Sequence, residues 1–277
     1  MYLIIDANSI AHQAKHSLAL NYDGAETGVI FGFLLKIIRL AKAYNTNQFV
    51  FTWDSKTSLR KQYFPAYKAK RHNKTEEEKE FDHICYSQFD KLKNNILPSI
   101  GFRCYEAKGY ESDDLIASIV YSNHGEFIII STDNDLYQLL SKDCSILKKE
   151  LYTLEDFKNE YGISTTGWSM AKAIAGCISD EIPGISGVGI KIACKFIKRE
   201  MKVSSTTFQH IKQNQEIVDF NMPLILLPYK GTPTIVLEKE SPTLSYKAFK
   251  TVCTTYGFRS FLEKEYLQKC QKVLNLQ

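Results

Sequence analysis

The stretch "ESDD" (111–114) places three carboxylates within four positions at the head of an apolar run. Acids in a first helical turn complement the helix dipole by roughly 0.3–1 kcal/mol each. That accounts for one or two of them, and poorly for three. Four more carboxylates follow apolar runs: Asp6 after "YLII" (2–5), Asp54 after "FVFTW" (49–53), and Asp133 and Asp135 after "FIIIS" (127–131). In an open α/β sheet, ligands bind beyond the carboxyl ends of the strands. Asp6, Asp54, Glu111, Asp113, Asp114, Asp133 and Asp135 are therefore expected on one edge of one sheet. Singly, Asp6 reads as an Asx-turn residue and "STDND" as a turn with a helix cap. Together, seven anions in a low-dielectric cleft repel by several kcal/mol unless a cation neutralises them. All the donors are oxygens, with no His or Cys at ligand spacing, which selects hard Mg²⁺ or Mn²⁺ over zinc. Seven carboxylates exceed what one Mg²⁺ takes, so two ions are expected. Metals roughly 4 Å apart are a common device for cleaving phosphodiesters.

Two further stretches carry chemistry. "SLRKQYFPAYKAKR" (58–71) interleaves Arg60, Lys61, Lys68, Lys70 and Arg71 with Tyr63, Phe64 and Tyr67. Cations for phosphates alternating with rings for bases suit single-stranded nucleic acid. The plainer reading is a solvated basic loop with packing aromatics, and the position just after Asp54 favours the first. "PGISGVGIKIACKF" (183–196) is glycine-rich, but no strand precedes it, which disfavours a dinucleotide site. A helical hairpin turning at Gly187 and Gly189 fits better. Its N–H groups and the next helix N-terminus would grip a backbone phosphate, with Lys191, Lys195, Lys198 and Arg199 extending a positive face.

These residues need a frame. At 277 residues, 44% hydrophobic and 24% charged, the chain has the composition of a globular protein with a sizeable core. The net charge of +4 announces no partner by itself, but 56–74 holds seven basic residues and no acid. Seven widely spaced cysteines without a C-x-x-C exclude a disulfide framework or zinc ribbon. No apolar run approaches the roughly 20 residues of a membrane span, and "MYLIID" opens directly as a strand. A soluble, cytoplasmic protein is expected. Strands are expected at 2–5, 48–53 and 127–131, with weaker ones at 102–106 and 144–148. Helical periodicity covers 26–44 and 113–122. The alternation predicts an α/β fold with a mostly parallel sheet. An α/β part over 1–150 and a helical part over 151–277 are expected to pack as one compact unit. Segment 66–95 should project, and "MPLILLPY" (222–229) and "PTIVLE" (233–238) should be extended.

"IIDANS", "FTWDSKTSLRKQYFPAYKAKR", "GYESDDLIA", "STDNDLYQLL" and "AIAGCISDEIPGISGVGIKIA", in this order, resemble the 5′→3′ exonuclease and flap endonuclease family of phages and bacteria. That family includes the 5′-nuclease domain of bacterial DNA polymerase I. The likeness covers nearly the whole chain, most clearly 1–200, and "FNMPLILLPY" resembles the family's extended segment after the hairpin. It implies a PIN-like fold with a helical arch at about 68–97 and a helix–hairpin–helix, and a structure-selective, divalent-metal-dependent hydrolase of DNA at 5′ ends and 5′ flaps. Products would carry 5′-phosphate and 3′-hydroxyl ends. Family metal carboxylates carry over to the seven acids above and to Asp180. Lys68 and Arg71 match residues that pull on the scissile phosphate, and Tyr67 a ring that stacks near the cleaved nucleotide. The hairpin matches one that holds duplex backbone, often with K⁺. A monomer working beside a separate DNA polymerase is implied, with no membrane involved.

One motif departs from the family. Where the pattern reads G-D-x-S-D-N, this chain has "GCISDE" (176–181), so Cys177 replaces an Asp and Glu181 an Asn. A thiol is a poor ligand for hard Mg²⁺, so the second ion should be held more weakly. The runner-up reading is a catalytically weakened, branched-DNA-binding relative. PIN-type ribonucleases are shorter and lack the glycine hairpin, and a D-x-D phosphatase needs an acid where Asn8 stands.

Overall fold

The computed structural model describes residues 1–15, 20–72, 75–238 and 240–277, without the side chains of residues 15, 71 and 72. All five apolar runs form strands: β1 (Tyr2–Asp6), β2 (Phe49–Thr52), β3 (Arg103–Tyr105), β4 (Phe127–Ile130) and β5 (Cys144–Leu147). A short β6 (Leu151–Tyr152) follows. β1 pairs in parallel with β2, Leu3 opposite Phe49 and Asp6 opposite Thr52, and β2 in parallel with β3. β4 pairs in parallel with β5, and β5 antiparallel with β6. Leu3, Ile4, Ile5, Phe49, Val50 and Phe51 are all buried, as continuous apolar runs require when helices cover both faces of a parallel ladder. The chain falls into two compact units, 1–54 with 74–106 and 236–277, and 55–73 with 107–235. Residue 150 lies inside the second.

In the first unit, helix Gly28–Tyr44 starts without a side-chain cap from Thr27. Gln88, buried on helix Glu76–Lys91, supplies the missing acceptor: its Oε1 takes the N–H groups of Val29 at 3.1 Å and Ile30 at 3.3 Å. The Glu76–Lys91 helix begins on a Thr75/Glu78 capping box. Residues 75–81 are exposed, while Cys85, Gln88, Phe89 and Leu92 are buried. Within the segment expected to project, the charged front is therefore solvated and the rest is core.

In the second unit, one expectation is corrected. Met222–Ile225 is not extended but closes helix Gln215–Ile225, and the chain leaves it only at Leu226. Val218, Asn221, Leu224 and Ile225 are buried at helical spacing, and Asn221 Nδ2 donates to Ala173 O at 2.9 Å. These tertiary anchors outweigh the local signal of Pro223. "PTIVLE" forms no strand, and its start is held by Ser118, whose Oγ donates to Pro233 O and accepts from Ile235 N–H.

Replacing Gln88 with Met should strand two buried N–H groups. We expect a loss of about 2–3 kcal/mol in urea unfolding, with an unchanged m-value.

Candidate metal and phosphate site

Asp6 ends β1 and caps the helix that follows, its Oδ1 accepting the Ser9 N–H at 3.1 Å. Asp54 is exposed two residues beyond β2, with its N–H donated to Asn8 Oδ1 at 3.2 Å. Because β1 and β2 pair in parallel with Asp6 opposite Thr52, both acids stand at the carboxyl ends of neighbouring strands.

In the second unit, the "ESDD" acids separate into different roles. Asp114 is fully buried. Arg60 grips it with two bonds of 2.6 and 2.8 Å, and the N–H groups of Tyr229 and Glu111 donate to it at 2.8 and 3.0 Å. Each carboxylate oxygen thus accepts twice, which fills its lone pairs. Asp114, expected as a metal ligand, thus has both oxygens occupied by protein donors, and Arg60, expected at DNA, is 2% exposed. Arg60 also donates its Nε to Leu224 O at 2.8 Å and lies over the Tyr229 ring.

Glu111 faces the basic segment. Its Oε2 accepts from Lys68 Nζ at 2.7 Å and from the Tyr67 hydroxyl at 3.0 Å. Burial disfavours its charge, yet Lys68 and Arg60 hold its carboxyl below the usual range. Burial likewise opposes the charge of Lys68, and Glu111 holds its ammonium well above the ordinary value. Tyr67 is buried, which raises its phenol. Asp113 is pushed well up, first by burial and then by the adjacent Asp114. Lys61 is half-buried and Lys70 exposed, and Arg71 lies in the 3-10 turn Ala69–His72 with its side chain outside the described residues.

A second group follows β4. Asp133 is exposed and accepts the Asp135 N–H at 2.8 Å. Asp135 pairs with Lys172 Nζ at 2.8 Å. Burial, then Asp133, push its carboxyl up to about 6 against the pull of Lys172. Asp180 is buried, its carbonyl accepting the Lys68 N–H at 3.1 Å, and the Cys177 thiol lies 3.4 Å from its Oδ2. Sequence reasoning missed Lys172 and Tyr229, which sit far along the chain from the acids they serve and carry no local motif. In the glycine hairpin, Gly187 (φ 74) and Gly189 are exposed with open space where a Cβ would sit, and Lys191 and Lys195 are exposed on the following helix Ile190–Ile197.

Among the described residues, no three His, Cys, Asp or Glu side chains form a ready-made metal cage. Glu111, Asp114 and Asp135 each rest on a cation instead. Such a set still fits a hydrated hard ion, because Mg²⁺ keeps several waters and needs only one or two carboxylates directly. The raised Asp135 marks an anion that Lys172 leaves incompletely neutralised.

Two outcomes test this account. Asp135 holds its proton more tightly folded than unfolded, so its ionisation costs stability as pH rises through about 6. Asp135→Asn should raise the melting temperature at pH 7.5 in EDTA, by at most about 3 kcal/mol in stability, with the gain vanishing towards pH 4. Arg60→Met should cost about 3–5 kcal/mol by leaving Asp114 buried and unpaired, and adding Asp114→Leu should recover part of that loss in chemical denaturation.

Residues 1–162 match the family model described as 5′-3′ exonuclease, N-terminal resolvase-like domain. A 5′-3′ exonuclease of Halalkalibacterium halodurans is 30% identical over 224 residues, covering 77% of this chain and 70% of that protein. DNA polymerase I of Borreliella burgdorferi is 32% identical over 269 residues, covering 89% of this chain, which spans only 26% of the polymerase. Among solved structures, bacteriophage T5 flap endonuclease in a pseudo-enzyme-product complex with DNA and metal ions superposes with a TM-score of 0.69 at 21% identity, over 98% of this chain and 99% of that one. That likeness supports a shared fold, mostly parallel strands flanked by helices. With more than half its length on the family model and strand-end acids where that fold binds ligands, the chain belongs to the 5′-3′ exonuclease family.

Proposed function

We propose that this chain is a structure-selective, divalent-metal-dependent 5′ nuclease that hydrolyses phosphodiesters at or near 5′ ends and 5′ flaps of DNA, leaving 5′-phosphate and 3′-hydroxyl ends. The observation that carries the reading is Lys68. It is a non-glycine residue in the left-handed region (φ 54), and its ammonium rests on Glu111. Strained backbone of this kind persists where the surroundings enforce it, and it clusters at functional sites. An ammonium parked on one carboxylate can exchange that partner for a phosphate without being left unpaired.

The acids proposed to hold metal ions, Mg²⁺ with Mn²⁺ as substitute, are, each unit taken by itself, Asp6 and Asp54 in the first and Glu111, Asp113, Asp114, Asp133, Asp135 and Asp180 in the second. Such ions, when bound, supply a hydroxide-like water and charge neutralisation at the phosphoryl oxygens. The chain's own side chains would do the rest. Lys68, with Arg71, would draw on the scissile phosphate, while the Tyr67 hydroxyl and the Arg60–Asp114 pair keep Glu111 in register. Lys61 and Lys70 would contact the single strand. At the hairpin, the open space over Gly187 and Gly189 would let the backbone approach a duplex phosphate, with K⁺ at its carbonyls and Lys191 and Lys195 alongside. A DNA polymerase acting on the same ends is the proposed partner.

Cleavage of a 5′-labelled flap duplex tests the reading. Mg²⁺- or Mn²⁺-dependent release, suppressed by EDTA and reduced at least about a hundredfold in Asp133→Asn, is the expected result. Tight binding without cleavage would instead mark a DNA-binding relative. Cys177→Asp should lower the Mg²⁺ concentration for half-maximal cleavage several-fold, since it restores a hard ligand beside Asp180. An unchanged Mg²⁺ titration would show that Cys177 does not weaken the second site.

A further inference from the structure

Ile178 is 89% exposed, the highest value among the exposed large apolar side chains of the described residues. Single exposed apolar residues are ordinary on protein surfaces, so exposure alone says little. What distinguishes Ile178 is the rigidity and the place of its support. It opens the 3-10 turn Ile178–Asp180. That turn is closed at its base by two bonds of 3.0 Å between Cys177 and Ile182, N–H to carbonyl in each direction. Inside it, the Asp180 N–H donates to Cys177 O at 3.1 Å, and Cys177 Sγ lies 3.2 Å from Ser179 Oγ. Below it, a Cβ on Gly184 would stand 2.0 Å from Ala175 O, so the two backbones meet as closely as glycine allows. Glu181 closes the turn in the left-handed region (φ 57). An isoleucine is thus held out into solvent at the apex of a fixed loop.

Its surroundings bear on what it meets. Asp180 is two residues on, and its carbonyl accepts the Lys68 N–H. Adjacent Cα atoms are 3.8 Å apart, so Ile178 stands within about 8 Å of Asp180, a reach of about two base steps of roughly 3.4 Å. A strand whose phosphate meets the Lys68 ammonium would run beside this turn, with a base or sugar face within reach of the apex. Aliphatic side chains, isoleucine among them, recur as apolar wedges set against DNA base steps. We propose that Ile178 is a DNA-contacting residue: its side chain packs on a nucleotide neighbouring the phosphate engaged by Lys68, and so helps to set which bond is presented. This rests on the nuclease reading above.

The test uses the intact protein and a 5′-flap duplex with 2-aminopurine at successive positions around the junction. It compares wild type, Ile178→Ser, Ile178→Leu and, as a remote control, Val203→Ser. The expected result for Ile178→Ser is a KM roughly tenfold higher, matching loss of about half the burial of one isoleucine, a change in 2-aminopurine fluorescence at one position, and a salt dependence of binding with unchanged slope, because no phosphate contact is lost. Ile178→Leu should restore most of the effect and Val203→Ser should show none. Active wild type with Ile178→Ser indistinguishable from it in KM and fluorescence would overturn the assignment while leaving the nuclease reading intact. Wild type that neither binds nor cuts would overturn both.

Discussion

A carboxylate with no exposure to water has to be matched by donors, and in the second unit Asp114 is matched four times over. The Arg60 fork supplies two bonds and the N–H groups of Glu111 and Tyr229 the others. Unpaired, a buried charge costs several kcal/mol, so these groups are obliged to meet. That obligation ties the basic segment to the head of helix Ser112–Ser122 and to the turn after helix Gln215–Ile225. Glu111 begins that helix as its N-cap residue and donates its own N–H to Asp114. The position of Glu111, and through it of Lys68 and Tyr67, therefore depends on a salt bridge that never touches solvent.

The same unit leaves its other acids differently provided for. Lys68 covers Glu111 and Lys172 covers Asp135, but each does so with a single ammonium, a point charge on a flexible stem. A lysine ammonium can turn to another acceptor more freely than the buried two-pronged Arg60 fork. Asp113 and Asp135 stay hard to ionise because burial dominates and neighbouring anions add to it. A divalent cation would reverse that balance, since its charge outweighs the local carboxylate repulsion.

The strands and the strand-end acids were legible in the sequence because both are written locally. Continuous runs such as "YLII", "FVFT" and "FIII" have the length and branching of buried parallel strands, and an acid directly after such a run falls at the ladder's carboxyl end. The surroundings of Arg60 and Tyr67 were not legible, for the converse reason. In "SLRKQYFPAYKAKR" they are indistinguishable from their exposed neighbours, and only packing sends Arg60 to Asp114 and the Tyr67 hydroxyl to Glu111. "MPLILLPY" misled through its prolines, because the burial of Asn221 and Leu224 that decides for helix comes from distant segments.

The sequence by itself therefore determined the α/β character, the family, and the set of residues from which the site is drawn, because these follow from periodicity, residue chemistry and motif order. The tertiary structure alone decided how each acid is used: which one Arg60 buries, which ones a lysine covers, and that Ile178 is held into solvent on a locked turn. The physical reason is that a carboxylate's role depends on its burial and its partner's charge, and both are set by groups scores of residues away.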